Sequence, residues 1–309
     1  MKILRYFPVM LILSVVILLT PGCKKDDNTE ELKADEMRLL DQYLADKNIT
    51  TEPTASGLYY IVLEEGDGPQ PVNKDFLEVE YLGELVDGTV FSTTSDSIAQ
   101  EEEIYDEEII YGLYRFQLGY TLPGLNEGIA MMHQGEKAMF ILPSDLALGG
   151  TNVGLVKAYS TLIYTIKLVN VIHDPDEWEL EILQAYLDTL RIDQVASLDS
   201  VYYIETTPGS GPLIENQDVV EVYYTGYYLD GRVFDTNVGG TVFSFSVPQP
   251  YLIEGWNEGI RKMRNGSKGS LIIPYKKGYG ATGMVDRQGR TKVGPYMTIV
   301  FDLEIVDVR

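Results

Sequence analysis

Cysteine is almost missing from this sequence: Cys23 is the single one in 309 residues. That excludes an internal disulfide framework and any zinc site built from several thiolates. Histidine is nearly as scarce. His133 and His173 leave little for a metal centre or a catalytic triad. Positive charge is in short supply too. There are 24 Lys and Arg against 47 Asp and Glu, a formal net charge of −23. Phosphate contact requires clusters of Lys and Arg, so a nucleic-acid partner is excluded. What is present reads as globular: 45% hydrophobic and 23% charged residues, long enough for two domains with a core in each.

The first 22 residues stand apart. Lys2 and Arg5 give a basic start, Phe7–Leu19 is an apolar run, and Thr20, Pro21 and Gly22 lead to Cys23. The run is too short for a comfortable transmembrane helix and has the length of a signal-peptide core. The segment resembles a bacterial lipoprotein signal, which implies cleavage before Cys23 and a lipid on that residue. An ordinary secretory signal and an uncleaved membrane anchor are the alternatives. The mature chain would then have 287 residues, and without Lys2 and Arg5 its charge would be −25. KKDDNTE after Cys23 reads as a polar tether. Lys24, directly after Cys23, is not the Asp that marks inner-membrane retention in many lipoproteins, and the Lys-Asp-Asp cluster also looks like the tethers of some surface-exported lipoproteins.

The rest of the chain repeats itself. Leu58–Ile61 matches Val201–Ile204, EVEYLG (78–83) matches EVYYTG (221–226), and DGTVF (87–91) matches DGRVF (230–234), all 143 residues apart. The offset then becomes 131, pairing GLNEGI (124–129) with GWNEGI (255–260) and ILP (141–143) with IIP (272–274). It ends at 137, pairing 160–172 with 297–309. The first copy therefore carries a net twelve extra residues between Phe91 and Gly124, and the second carries six before its last strand.

Each copy reads as a helix followed by a β-rich domain. Leu39, Leu40, Tyr43 and Leu44 recur at helical spacing within Glu31–Lys47, and Ile182, Leu183, Tyr186, Leu187 and Leu190 do so within Asp176–Ile192. Packing on the neighbouring domain is favoured over a dimerisation or spacer role, because neither stripe lasts three heptads. In the second copy, VVEVYYTGYY (219–228), a turn at LDGR (229–232), SLIIPY (270–275) and 297–308 read as strands. One helix is expected at Asn257–Arg264, stopped by Gly266.

These residues resemble the FKBP-type peptidyl-prolyl isomerases. YYTGYYLDGRVFDT (223–236), FSF (243–245), LIEGWNEGI (252–260), GYGATG (278–283) and TIVFDLEIVDV (298–308) follow the family's order across Val201–Arg309. The resemblance implies an α+β fold of two FKBP-like domains, each an antiparallel sheet curved around one short helix and each preceded by a helix. The expected organisation is a signal at 1–22, tether and helix at 23–50, a degenerate domain at 51–173, a linker helix at 174–195 and the isomerase domain at 196–309.

The implied chemistry needs no nucleophile, metal or cofactor. Twisting an Xaa-Pro amide costs roughly 18–20 kcal/mol in lost resonance. A site must desolvate the planar amide and hold the twisted one. By resemblance, Trp256 is the pocket floor and Tyr224, Phe234, Phe243, Ile253 and Phe301 are its walls, with Leu252 beside it. Tyr279 would give its hydroxyl to a substrate carbonyl, and Asp235 would lie near the twisting carbonyl. The Ile253 N–H would anchor the peptide, and Val293 would sit on an overhanging loop. Taken singly, each aromatic would be ordinary core and Asp235 a surface residue; their joint order carries the reading.

The first copy departs from the pattern. Tyr81, Phe91 and Tyr164 stand for Tyr224, Phe234 and Phe301, and Tyr114 stands for Phe243 if a two-residue gap is allowed. Ser92 replaces Asp235, Leu125 replaces Trp256 and Leu148 replaces Tyr279. This copy is expected to be inactive or nearly so. Its insertion, residues 95–110, holds seven carboxylates and reads as a solvated loop. The alternative, calcium, lacks the spaced ligand pattern. In the second copy, Arg287, Arg290 and Lys292 form a basic island on the loop 281–296.

The leading expectation is a lipid-anchored envelope enzyme, at the outer membrane and facing either the periplasm or the exterior. Its second domain would isomerise proline-containing unfolded or exported polypeptides, and macrolide ligands of the family would fit its pocket. The alternatives are a non-catalytic module that holds clients or a partner, and a purely structural envelope protein.

Overall fold

Short-range signals set the helices. In the computed structural model, which describes residues 28–309, α1 spans Thr29–Asp46. The signal at 1–22 and Cys23 lie outside the described residues. The second such helix is α4, Pro175–Thr189. The Asp174 carboxylate accepts the N–H groups of Asp176 (3.0 Å) and Glu177 (3.1 Å), and Pro175 fills the first turn, where no N–H is needed. α4 ends one turn before the expected Ile192. Arg191 adopts φ 57°, and Ile192 N–H turns back to the Leu187 carbonyl at 3.0 Å, a left-handed C-terminal cap. α1 closes the same way through Asn48 (φ 53°) and Ile49.

The chain divides into two units between His173 and Asp174. In unit 1, α1 is followed by β1 (Tyr59–Glu64), β2 (Phe76–Leu85), β3 (Val90–Thr93), α2 (Asp96–Glu101), β4 (Tyr114–Gln117), α3 (Pro123–Met131), β5 (Lys137–Leu142) and β6 (Leu162–Ile172). Unit 2 starts with α4. It continues with β7 (Tyr202–Thr207), β8 (Ser210–Leu213), β9 (Val219–Tyr228), β10 (Val233–Thr236), β11 (Phe243–Ser246), α5 (Glu254–Gly259), β12 (Arg264–Asn265), β13 (Lys268–Ile273), β14 (Met284–Val285), β15 (Thr291–Val293) and β16 (Ile299–Val308). Both main sheets are antiparallel and share one topology. Unit 1 has the order β1-β5-β6-β2-β3 with β4 also on β2, and unit 2 has β7-β13-β16-β9-β10 with β11 on β9. Each is an α+β domain.

The repeat offsets reappear as strand bounds. β1 and β7, β2 and β9, and β3 and β10 each begin and end 143 residues apart, and β5 and β13 lie 131 apart. The β4–β11 pair settles the gap beside Tyr114. Tyr114 pairs with Val79 and Phe243 with Val222, and Val79 and Val222 occupy the same repeat position.

Two expectations need correction. The helix near Asn257 starts at Glu254 and ends at Gly259, continuing only as a 3₁₀ turn over Ile260–Lys262. Arg264 and Asn265 are claimed by pairing with β8, so Gly266 (φ 74°) serves the turn into β13 instead of the helix end. The acidic insertion is folded. Ser95 Oγ caps α2 through Ile98 N–H, Ala99 is fully buried, and the Tyr105 and Tyr111 rings stack at 5.3 Å.

Strand alternation gives each sheet two apolar faces. In unit 2, Phe301 faces α5 while its neighbour Val300 joins Leu183, Leu187, Tyr202 and Ile272 beneath α4. In unit 1, Leu40 of α1 packs on Ile141 and Ile163. Both helices therefore dock on their own sheets. Leu183 is completely buried, so Leu183→Ala should lower the stability of unit 2 by roughly 2–5 kcal/mol. Trp178 and Trp256, the only tryptophans, both lie in unit 2. Urea unfolding of the full chain followed by tryptophan fluorescence should move to lower midpoint in Leu183→Ala and stay in place in Leu40→Ala.

Candidate active site

The recess in unit 2 begins with a missing side chain. A Cβ on Gly226 would lie 2.6 Å from Phe301 Cε1 and 2.7 Å from Phe234 Cζ. Only glycine lets both rings close over β9 at that point. β16 brings Phe301 opposite Gly226 and Leu303 opposite Tyr224. β10 brings Asp235 opposite Gly226 across a bulge at Phe234, which re-aims that ring.

Trp256, in the first turn of α5, sits at the centre and is 3% exposed. Its ring centroid is 5.1 Å from Phe301 (84° between planes), 5.3 Å from Tyr224 (87°) and 6.2 Å from Phe243 (72°). Phe234 meets Phe301 at 5.5 Å and 87°. Edge-to-face contacts of this kind place positive ring edges against negative faces and fix ring orientation. Phe301 and Phe234 are buried, whereas Tyr224, Phe243, Leu252, Ile253 and Tyr279 keep part of their surface in solvent. The result is an aromatic cluster with a buried centre and a partly exposed rim.

Polar groups stand at that rim. Tyr224 Oη donates to Asp235 Oδ2 at 2.9 Å, and Asp235 is exposed. Tyr279 lies edge-on to Phe234 at 6.5 Å. Burial and, second, the Asp235 charge push its hydroxyl up to about 12, so it remains a donor at neutral pH. Ile253 is the N-cap of α5, where a helix leaves its N–H groups without internal acceptors. The segment before it is pinned by Asn257, which accepts from Gln249 N–H at 2.7 Å and donates to the Gln249 carbonyl at 3.0 Å. Leu252 N–H adds a bond to the same carbonyl at 3.1 Å. Val293 is in β15, opposite Met284 and almost fully buried, within a small hairpin. The structure thus brings Tyr224, Phe234, Asp235, Phe243, Trp256, Tyr279 and Phe301 together. Among the described residues, no group of three or more His, Cys, Asp and Glu could hold a metal ion.

Comparison with known proteins decides what this constellation belongs to. The sequence pattern of the FKBP-type peptidyl-prolyl cis-trans isomerases matches residues 68–169 and 211–306, well over half of the chain. The chain belongs to this family. Human peptidyl-prolyl cis-trans isomerase FKBP9 is 27% identical over 236 residues, covering 76% of this chain and 35% of that protein. The probable FKBP-type isomerase FkpA of Neisseria meningitidis is 34% identical over 119 residues, 38% of this chain and 39% of that protein. The crystal structure of FkpA from Escherichia coli shares 27% identity over 47% of this chain and 63% of its own, with a TM-score of 0.39. The chain spans about a third of the length of the mammalian relatives it matches.

Within this FKBP pair, unit 1 keeps the frame and fills the recess. Tyr81, Phe91, Tyr114, Leu125 and Tyr164 are all buried in one continuous core, with Ile109, Leu148 and Leu155 packed against it. The acidic insertion supplies Ile109. Tyr81 Oη meets Ser92 Oγ at 2.9 Å where unit 2 has Tyr224 on a carboxylate.

Three groups that pack on or pin the aromatic cluster of unit 2 escaped sequence reasoning. Phe245 lies 6.0 Å from Trp256, and Tyr228 stacks on Phe234 at 5.5 Å and donates its hydroxyl to the Lys292 carbonyl. The two-residue period of FSF was the available signal for Phe245. Asn257 gave none. The basic island is also reduced, because the Arg290 guanidinium is held by Asp286 within its own turn.

Tyr279 yields a pH test. Between pH 10, where an unfolded tyrosine ionises, and about 12, folded Tyr279 retains a proton that the unfolded chain has lost. Its contribution is complete below pH 10 and disappears as pH rises through that window. Thermal unfolding of Tyr279→Phe should therefore decline less between pH 10 and 12 than that of the parent chain.

Proposed function

We propose that the chain is a peptidyl-prolyl cis-trans isomerase whose reaction takes place in unit 2, on exported polypeptides in the cell envelope. The contrast between the two units carries this reading: Tyr224, Phe243 and Tyr279 around the Trp256 cluster keep part of their surface in solvent, whereas Tyr81, Phe91, Tyr114, Leu125 and Tyr164 of unit 1 are all buried in one core.

In the proposed mechanism, the proline ring enters against Trp256, Phe234 and Phe301. Water leaves the Xaa-Pro amide, and the planar state, the more polar of the two, loses more solvation than the twisted one. The Ile253 N–H and the Tyr279 hydroxyl bind substrate carbonyls and hold the segment while the C–N bond turns. Asp235, kept in place by Tyr224, lies near the carbonyl that rotates. Tyr224, Phe243, Leu252 and Val293 complete the walls and roof, and the same surface would take macrolide ligands of the FKBP class. The triple variant Trp256→Leu, Asp235→Ser, Tyr279→Leu gives unit 2 the residues of unit 1. It should lose roughly 100-fold or more in kcat/KM on a prolyl peptide, about 2.7 kcal/mol of transition-state stabilisation. Retained activity would remove the site assignment. Client holding without catalysis is the second reading, favoured by a unit 1 that is fully folded yet has no recess. It expects suppression of aggregation to survive in the triple variant.

The location rests on the signal and Cys23. Among the described residues, no helix is long and apolar enough to cross a membrane. The proposed attachment is a lipid on Cys23. Fatty-acid labelling in cells should mark the wild-type chain and not Cys23→Ser. Protease access on whole cells separates periplasmic from outward-facing placement.

A further inference from the structure

Comparison of the two copies isolates one ion pair whose polarity is reversed. In unit 1, Lys33 on α1 meets Asp145 at 2.7 Å. In unit 2, the same two repeat positions hold Asp176 on α4 and Lys276, 2.8 Å apart. The residue before the second partner explains the reversal. Unit 1 has Ser144 there, whose N–H and Oγ both go to Glu36 at 2.5 and 2.6 Å. Unit 2 has Tyr275, whose hydroxyl donates to the Asp176 carboxylate. A lysine at position 176 would offer that hydroxyl a donor in place of the acceptor it now uses. An acceptor on the helix serves that donor, and in unit 2 the lysine stands on the other side.

Tyr275 is the root of the loop that carries Tyr279. Its carbonyl accepts the N–H groups of Gly278 (3.0 Å) and Gly280 (2.9 Å), one on either side of Tyr279. Its ring packs on Tyr296 at 4.8 Å, and Tyr296 N–H returns to the Gly280 carbonyl at 3.1 Å. The far root is tied to the same helix. Glu179, one turn beyond Asp176 and 2% exposed, accepts Thr298 N–H at 3.0 Å, three residues before Phe301. Asp176 and Glu179 are three residues apart and share one face of α4.

We propose that α4 is a positioning element for the reaction: through Asp176 and Glu179 it clamps both roots of the 278–298 loop, and through Tyr275 it sets the place of Tyr279. This rests on the proposed role of Tyr279, since small displacements of a contacting group cost rate. Asp176, Glu179 and Tyr275 touch no substrate and act through the loop.

The test uses the full chain and two readouts, steady-state kinetics on a prolyl peptide and amide hydrogen exchange over 278–298. Tyr275→Phe removes only the hydroxyl. Asp176→Lys with Lys276→Asp keeps the ion pair in unit 1's polarity but sets a cation against Tyr275. Both should lower kcat roughly three- to tenfold, the scale of one lost hydrogen bond, with KM within about twofold, and both should speed exchange at Gly278 and Gly280. Asp176→Asn, which keeps an acceptor, should stay near wild type, as should Glu36→Ala in unit 1. Wild-type kcat and wild-type exchange in Tyr275→Phe and the inverted pair would overturn the proposal, as would exchange that rises with no change in kcat. If the parent chain itself isomerises no prolyl peptide, the reading of the site fails. Exchange then decides the clamp alone, faster exchange supporting it and unchanged exchange overturning it.

Discussion

The recess around Trp256 depends on one close approach, two phenyl rings lying over a strand position without a side chain. Gly226 admits Phe234 and Phe301, and those rings meet edge to face. Their orientation presents a flat wall to Trp256, which in turn orients Tyr224 and Phe243. Each such contact contributes little beyond its buried area. Their value is geometric: they hold a large apolar surface open to solvent on one side, which a fluid core would close. Gly83 occupies the same repeat position under Phe91 and Tyr164, so the constraint is common to both units, and what is built over it differs.

The difference lies in exposure more than in ring count. Unit 1 retains Tyr81, Phe91, Tyr114 and Tyr164 yet buries all of them. Leu125 in place of the indole removes the floor, and Leu148 and Ile109 lie against the remaining core. The insertion, a charged loop on composition alone, contributes apolar contacts from its non-acidic positions. Its carboxylates give it a solvated outer face, and Ala99 and Ile109 give it an inner one.

Much of this was legible in the sequence because duplication gives each position an internal reference. The 143 and 131 offsets carry strand bounds from one copy to the other, and the β4–β11 register confirms the gap inferred beside Tyr114. The strand read at 270–275 lies at Lys268–Ile273, because Tyr275 begins a 3₁₀ turn after Pro274. The ring set of the recess was readable from motif order. The misses have physical causes. α5 ends early because pairing of Arg264 and Asn265 with β8 overrides local helical pattern. α4 stops at Thr189 because Arg191 adopts a left-handed conformation that composition does not announce. Glu36 and Glu179 were passed over because a glutamate on a helix is ordinarily a solvated residue. Their shared repeat position was the available signal, and both are buried on the loop roots of their own units.

The filled core of unit 1 has a consequence for how such a pair diverges. Ser92 is buried, so an aspartate placed there would enter a dry site rather than the wet rim that Asp235 occupies. Leu125 is completely enclosed, and an indole in its place would overpack the core. Packing therefore fixes the interior of unit 1 more tightly than its surface: core positions such as Ser92 and Leu125 are enclosed by their neighbours, while exposed positions are free to vary.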